Sequence, residues 1–101
     1  MASHKEYLNF VLEQLSALEG VTSRAMMGEY VLYYRGKVVG GVYDDRFLLK
    51  PTRSAVALMP NAQTETPYPG AKPMLAAEID DAALCCRAVE AIAADLSRKE
   101  T

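Results

Sequence analysis

Between Ser23 and Pro51 the chain reads SRAMMGEYVLYYRGKVVGGVYDDRFLLKP, in which apolar, β-branched and aromatic segments alternate with short breaks at Gly28, Arg35-Gly36 and Asp44-Asp45. Breaks this short cannot hold a crossover helix, so the segments they join must pair as antiparallel neighbours. The spacing predicts four strands, Arg24–Met27, Glu29–Tyr34, Lys37–Tyr43 and Arg46–Lys50, in one continuous meander. In Val38-Val39-Gly40-Gly41-Val42-Tyr43 both alternate sets of positions are apolar or small, so this strand is expected to be central and covered on both faces. Helices account for one cover; a partner chain or a long loop must supply the other. Gly40 and Gly41 remove side chains in mid-strand and predict a close approach, by a packed helix first and by a ligand second.

The flanking segments carry the helical period. Tyr7, Leu8, Val11, Leu12, Leu15 and Leu18 make one stripe on a helix expected from Ser3 to Leu18, with Ser3 and Glu6 as a capping box and Gly20 as its stop. Thr52 is the expected N-cap of a short helix, Arg53–Met59, which Pro60 ends. Asn61–Pro73, with Pro67, Pro69, Gly70 and Pro73, reads as a long irregular connection, suited equally to a functional loop and to a plain surface crossing. Met74–Ile79 is the expected fifth strand. Asp80 or Asp81 then caps a last helix whose apolar face is Leu84, Cys85, Ala88, Val89, Ile92 and Leu96, and whose end from Ser97 to Thr101 is expected to fray. The expected architecture is a single α+β domain over residues 1–101, in the order α-β-β-β-β-α-β-α. One antiparallel sheet of about five strands carries the N- and C-terminal helices on one face, with Leu12 and Ile92 in the core.

The formal net charge of −2 gives no long-range attraction to a phosphate backbone. The N-terminal MASHKEY lacks a secretory apolar stretch, and no segment approaches the ~20 apolar residues of a membrane span, so a cytoplasmic protein is expected. Cys85 and Cys86 are neighbours whose side chains diverge on a helix; they read as core residues, without a disulfide. No metal site is expected, since one needs three or four convergent ligands. His4, the single histidine, falls in the first turn of a terminal helix and is expected to be solvated. Gly40-Gly41 lies inside a strand, so it is not a phosphate loop, and Asp44-Asp45 reads as turn chemistry. With no catalytic constellation and no cofactor motif, the chain does not read as an enzyme.

Arg24-Ala25-Met26-Met27-Gly28, the aromatic strand Tyr30–Tyr34, Gly36 and Asp45-Arg46-Phe47-Leu48-Leu49-Lys50 resemble the Arg-x-Met-Phe-Gly-Gly segment and later basic strand of the N-terminal domain of the TfoX/Sxy competence-regulator family. Tyr68, Gly70 and Met74 resemble its loop-to-strand segment. Glu29 stands where many members have a second glycine, and Met27 where many have Phe. The resemblance covers nearly the whole chain and implies a stand-alone domain of that fold. It also implies an association with regulation of natural competence in some bacteria, where this module is joined to a second, helical domain.

Three function classes follow. A non-enzymatic regulatory or protein-interaction module comes first, because strands apolar on both sides point to contact surfaces, and self-association as a homodimer is expected. A small-molecule or nucleotide sensor comes second and requires Arg24, Tyr34 and Arg46 to converge on an apolar pocket. Nucleic-acid binding comes third, through Arg24, Arg35, Lys37, Arg46, Lys50 and Arg53 with Tyr30, Tyr33, Tyr34 and Tyr43 as stacking platforms. The candidate contact site is Arg24, Met27, Gly28, Tyr34, Arg46 and Lys50. The plainer alternative pairs Arg24 with Glu29 or an aspartate and leaves the tyrosines as cross-strand packing.

Overall fold

A computed structural model describes residues 3–99. Three hairpins set the frame. β1 (Val21–Met26), β2 (Glu29–Tyr34), β3 (Lys37–Val42) and β4 (Phe47–Leu49) are joined by the pairs Met27-Gly28, Arg35-Gly36 and Asp44-Asp45. In each pair both residues have φ between 51° and 85°. Two positive φ values in a two-residue loop make a type I′ turn, whose twist matches that of the strands it joins. β1 starts earlier than expected because Gly20, at φ +95°, turns the chain into the sheet. Met27 belongs to the turn and not to a strand.

Helix α1 (Lys5–Gln14) precedes the meander; α2 (Arg53–Leu58), β5 (Thr64–Glu65), β6 (Met74–Ala76) and α3 (Ala82–Lys99) follow it. The strands form one antiparallel sheet in the order β1-β2-β3-β4-β6-β5. The fold is therefore α+β, with six strands where the sequence indicates about five. The extra strand, β5, lies inside the expected irregular segment; two residues are too few to carry a period. Thr52 caps α2 as expected, its hydroxyl accepting from the Ala55 N–H. Asp81, not Asp80, caps α3 by accepting from the Leu84 N–H at 3.1 Å. α3 continues through Ser97 to Lys99, where a frayed end is expected; Glu100 and Thr101 lie outside the described residues.

The capping box does not form. His4 is the N-cap of α1 and its side chain makes no capping bond. The Ser3 hydroxyl instead donates to Glu29 at 2.5 Å and accepts from the Asp45 N–H at 3.0 Å. α1 stops at Gln14, short of the expected Leu18, and the chain winds through turns before Gly20.

The core lies between the sheet and the helices. Leu8, Val11 and Leu15 of the α1 segment and Ala88, Val89 and Ile92 of α3 are buried with Leu32, Val42, Phe47, Leu49 and Leu75. Ile92 is fully buried as expected, whereas Leu12 only packs against the core from its rim. The helices α2 and α3 are tied by Asp95, whose carboxylate accepts from the N–H and hydroxyl of Ser54, each at 2.8 Å.

The opposite sheet face carries Val31, Gly41 and Leu48, which are partners in register across β2, β3 and β4. Part of its cover is the connection from β5 to β6, in which Pro67 is buried and the Tyr68 ring meets that of Tyr43 at 6.3 Å. The glycines do mark close approach, but not by a helix. A Cβ on Gly41 would lie 2.6 Å from the Tyr43 ring and 2.6 Å from the Tyr30 carbonyl oxygen; one on Gly40 would strike the β4 backbone.

Candidate functional site

β1 is an edge strand, paired on one side only, and every residue from Thr22 to Met26 is exposed. Its register with β2 places Thr22, Arg24 and Met26 opposite Tyr33, Val31 and Glu29. Cross-strand partners share a face, and this is the face away from the helices. Arg24 has no ion pair or hydrogen bond among the described residues; Glu29, its expected partner, is occupied by Ser3 and by the Asp44 N–H. Met26 is 51% exposed and Met27, at the turn tip, 98%. Beside them Gly28 accepts from the Ser3 N–H at 3.0 Å, tying the N-terminal segment to the hairpin. The result is a guanidinium without a partner among the described residues, on the strand face that also carries exposed Met26 and leads to Met27 at the turn tip.

The other expected site residues lie elsewhere. Tyr34 is buried on the helix face, with the Arg35 guanidinium 5.3 Å from its ring centroid. One residue of strand phase separates it from the face of Arg24. Arg46 works inside the molecule. Its guanidinium pairs with Glu65 at 2.6 Å and donates to the carbonyls of Tyr43, Thr66 and Pro67, clamping the β5–β6 connection to the β3–β4 turn. Arg24, Tyr34 and Arg46 therefore do not converge. Lys50 lines a cleft of about 460 Å³ where β4 turns away from β3, together with Val38, Tyr43, Tyr68, Lys72 and Met74. Neither Lys50 nor Lys72 has a charged partner among the described residues. Lys72 goes unnoticed in sequence, and Met26 is not among the expected site residues although it shares the face of Arg24 within the expected strand Arg24–Met27.

His4 is exposed, as expected, but not free. Its Nδ1 lies 2.6 Å from the Asp45 carboxylate, which also accepts from the His4 N–H at 2.8 Å. The Asp45 hydrogen bond and charge raise the His4 pKa above its ordinary value; the His4 N–H and ring in turn lower that of Asp45. Burial pushes the Cys85 thiol up to about 11, and it donates to the Glu78 carbonyl at 3.3 Å. So protonated, it is a core group and not a nucleophile. Among the described residues no group of three or more His, Cys, Asp or Glu could hold a metal ion, and no helix is long and apolar enough to cross a membrane.

A family model described as the TfoX N-terminal domain matches residues 13–78, a span that takes in all six strands and the Arg24–Gly28 segment. The chain is also 43% identical over 72 residues to an uncharacterised 12.7 kDa protein in the trpE 5′ region of Spirochaeta aurantia. That alignment covers 71% of this chain and 63% of the relative, so the matched part spans less than two thirds of the relative's length.

Proposed function

The chain belongs to the TfoX N-terminal domain family, and on that premise we propose that it is a non-enzymatic, cytoplasmic regulatory module that acts by protein contact through the open side of the β1–β2 hairpin. The observation that carries this reading is Arg24, a guanidinium with no partner among the described residues, on the strand that also carries exposed Met26 and leads to exposed Met27 at the turn. Among the described residues Arg24 makes no ion pair or hydrogen bond, and the Met27 side chain is almost fully exposed. An arginine bordered by soft apolar side chains suits a protein surface, where charge-assisted bonds and apolar contact act together. The link to natural competence is part of the same proposal and comes through the family.

The test is affinity recovery from the native cytoplasm with the whole chain as bait. Arg24→Ala combined with Met27→Ser should abolish recovery of a specific partner while the unfolding midpoint is kept. Unchanged recovery refutes the reading. A second reading, an anionic small-molecule sensor, is favoured by the cleft that brings Lys50 and Lys72 beside Tyr43 and Tyr68. A rise in melting temperature with a nucleotide such as AMP, lost in Lys50→Ala, would support it.

A further inference from the structure

We propose that two copies of this chain join through their β1 edges, in an antiparallel register centred on Ser23, to make one continuous sheet. The inference rests on the reading of the β1–β2 hairpin as a contact surface and names the occupant of its edge.

The argument starts from hydrogen-bond phase. In a two-residue hairpin the residues flanking the turn, here Met26 and Glu29, exchange backbone bonds, and bonding alternates with distance from the turn. Arg24 with Val31 and Thr22 with Tyr33 are then the next bonded pairs in the register. The phase is confirmed one step further, where the Arg35 N–H donates to the Gly20 carbonyl at 3.0 Å. Val21, Ser23 and Ala25 consequently aim their N–H and C=O groups away from β2. The edge contains no proline, its pairing with β2 shows no bulge, and no described element covers it. Of the devices that usually shield an edge, only one charge is present, Arg24.

Side-chain chemistry chooses among the two-fold registers. Centring on Ser23 sets Ser23 against its own copy and Val21 against Ala25 twice, so all outward groups of both strands are bonded. Centring on Thr22 leaves Ala25 unbonded, and centring on Arg24 leaves Val21 unbonded and places two guanidinium groups directly opposite each other. Like charges so placed oppose pairing. In the Ser23 register Arg24 faces Thr22 of the other copy, and Met26 faces Gly20, which has no side chain to obstruct it. The open faces of the two hairpins then form a single surface across the axis. Strand-edge contact alone is small beside interfaces of about 1,200–2,000 Å², so the dimer is concentration-dependent.

Sedimentation velocity of the full chain, from micromolar to near-millimolar concentration, tests this. The natural chain should pass from monomer to dimer. Ala25→Pro removes an outward N–H and leaves the β1–β2 bonds intact, so it should yield monomer with the circular dichroism and melting temperature of the fold retained. Ser23→Lys sets two ammonium groups together at the axis and should also yield monomer. Thr22→Glu places a carboxylate opposite Arg24 on both sides of the axis and should tighten the dimer about three- to tenfold, less at high salt. A natural chain that stays monomeric, a dimer indifferent to Ala25→Pro, or no tightening by Thr22→Glu overturns the proposal. Partner recovery by a monomeric chain that is still lost in Arg24→Ala would overturn self-pairing while leaving the contact surface standing.

Discussion

Arg46 and Arg24 look alike in the sequence, both basic residues at the start of an expected strand of the meander, yet Arg46 is a strut and Arg24 has no ion pair or hydrogen bond among the described residues. Removing the strut should loosen the β5–β6 connection. Arg46→Ala is expected to cost about 1–2 kcal/mol, discounted because the pair with Glu65 is a third exposed. Arg46→Lys should recover little, since an ammonium cannot reach the same set of acceptors. Urea midpoints of the three proteins decide this. The His4–Asp45 pair makes a pH prediction with two signs. The raised His4 pKa means its contribution is fully present below the ordinary value of 6.5 and is lost as pH rises through the folded value. The lowered Asp45 pKa means its contribution is present above the ordinary 3.8 and is lost as pH falls through the folded value. The staple is therefore complete between those two ordinary values. A histidine titration followed by NMR should show His4 above 6.5, and Asp45→Asn should bring it back down.

At the scale of elements, the three successive type I′ turns carry most of the topology, and two of them open on a residue poorly suited to positive φ, Met27 and Arg35. Met27 has φ 52°, which an unbranched side chain tolerates but Asn favours, and Asn-Gly is the preferred pair for this turn. Met27→Asn should raise stability by about 0.5–1 kcal/mol, read as a higher melting temperature. If the same change weakens partner recovery, Met27 is kept for contact at the expense of the turn. The glycines of β3 act in the opposite direction. Gly40→Ala drives a methyl group into the backbone of β4 and should cost about 3 kcal/mol or more by chemical denaturation. The elements were legible because period and turn spacing are local: β2, β3 and α2 follow their expected bounds closely. The capping box failed because Ser3 finds Glu29, 26 residues away, a better acceptor than a competing local bond.

For the whole molecule, the helix-facing layer is the cohesive one. Ile92→Ala should cost about 2–5 kcal/mol, and Leu12→Ala, at the rim, less than half of that, as compared by denaturant midpoints. The antiparallel meander, the apolar stripes that bring α1 and α3 to one face, and the α+β class were determined by the sequence alone. Each follows from spacings of a few residues, which the backbone reads the same way in any context. The cover of the second sheet face, the second edge at β5, the burial of Tyr34 and the clamping role of Arg46 were decided only in the tertiary structure. Those outcomes depend on contacts such as Arg46 with Glu65, 19 residues apart, and His4 with Asp45, 41 apart. Partners at such separations are brought together by the packing of the completed sheet, and no periodicity in the chain announces them.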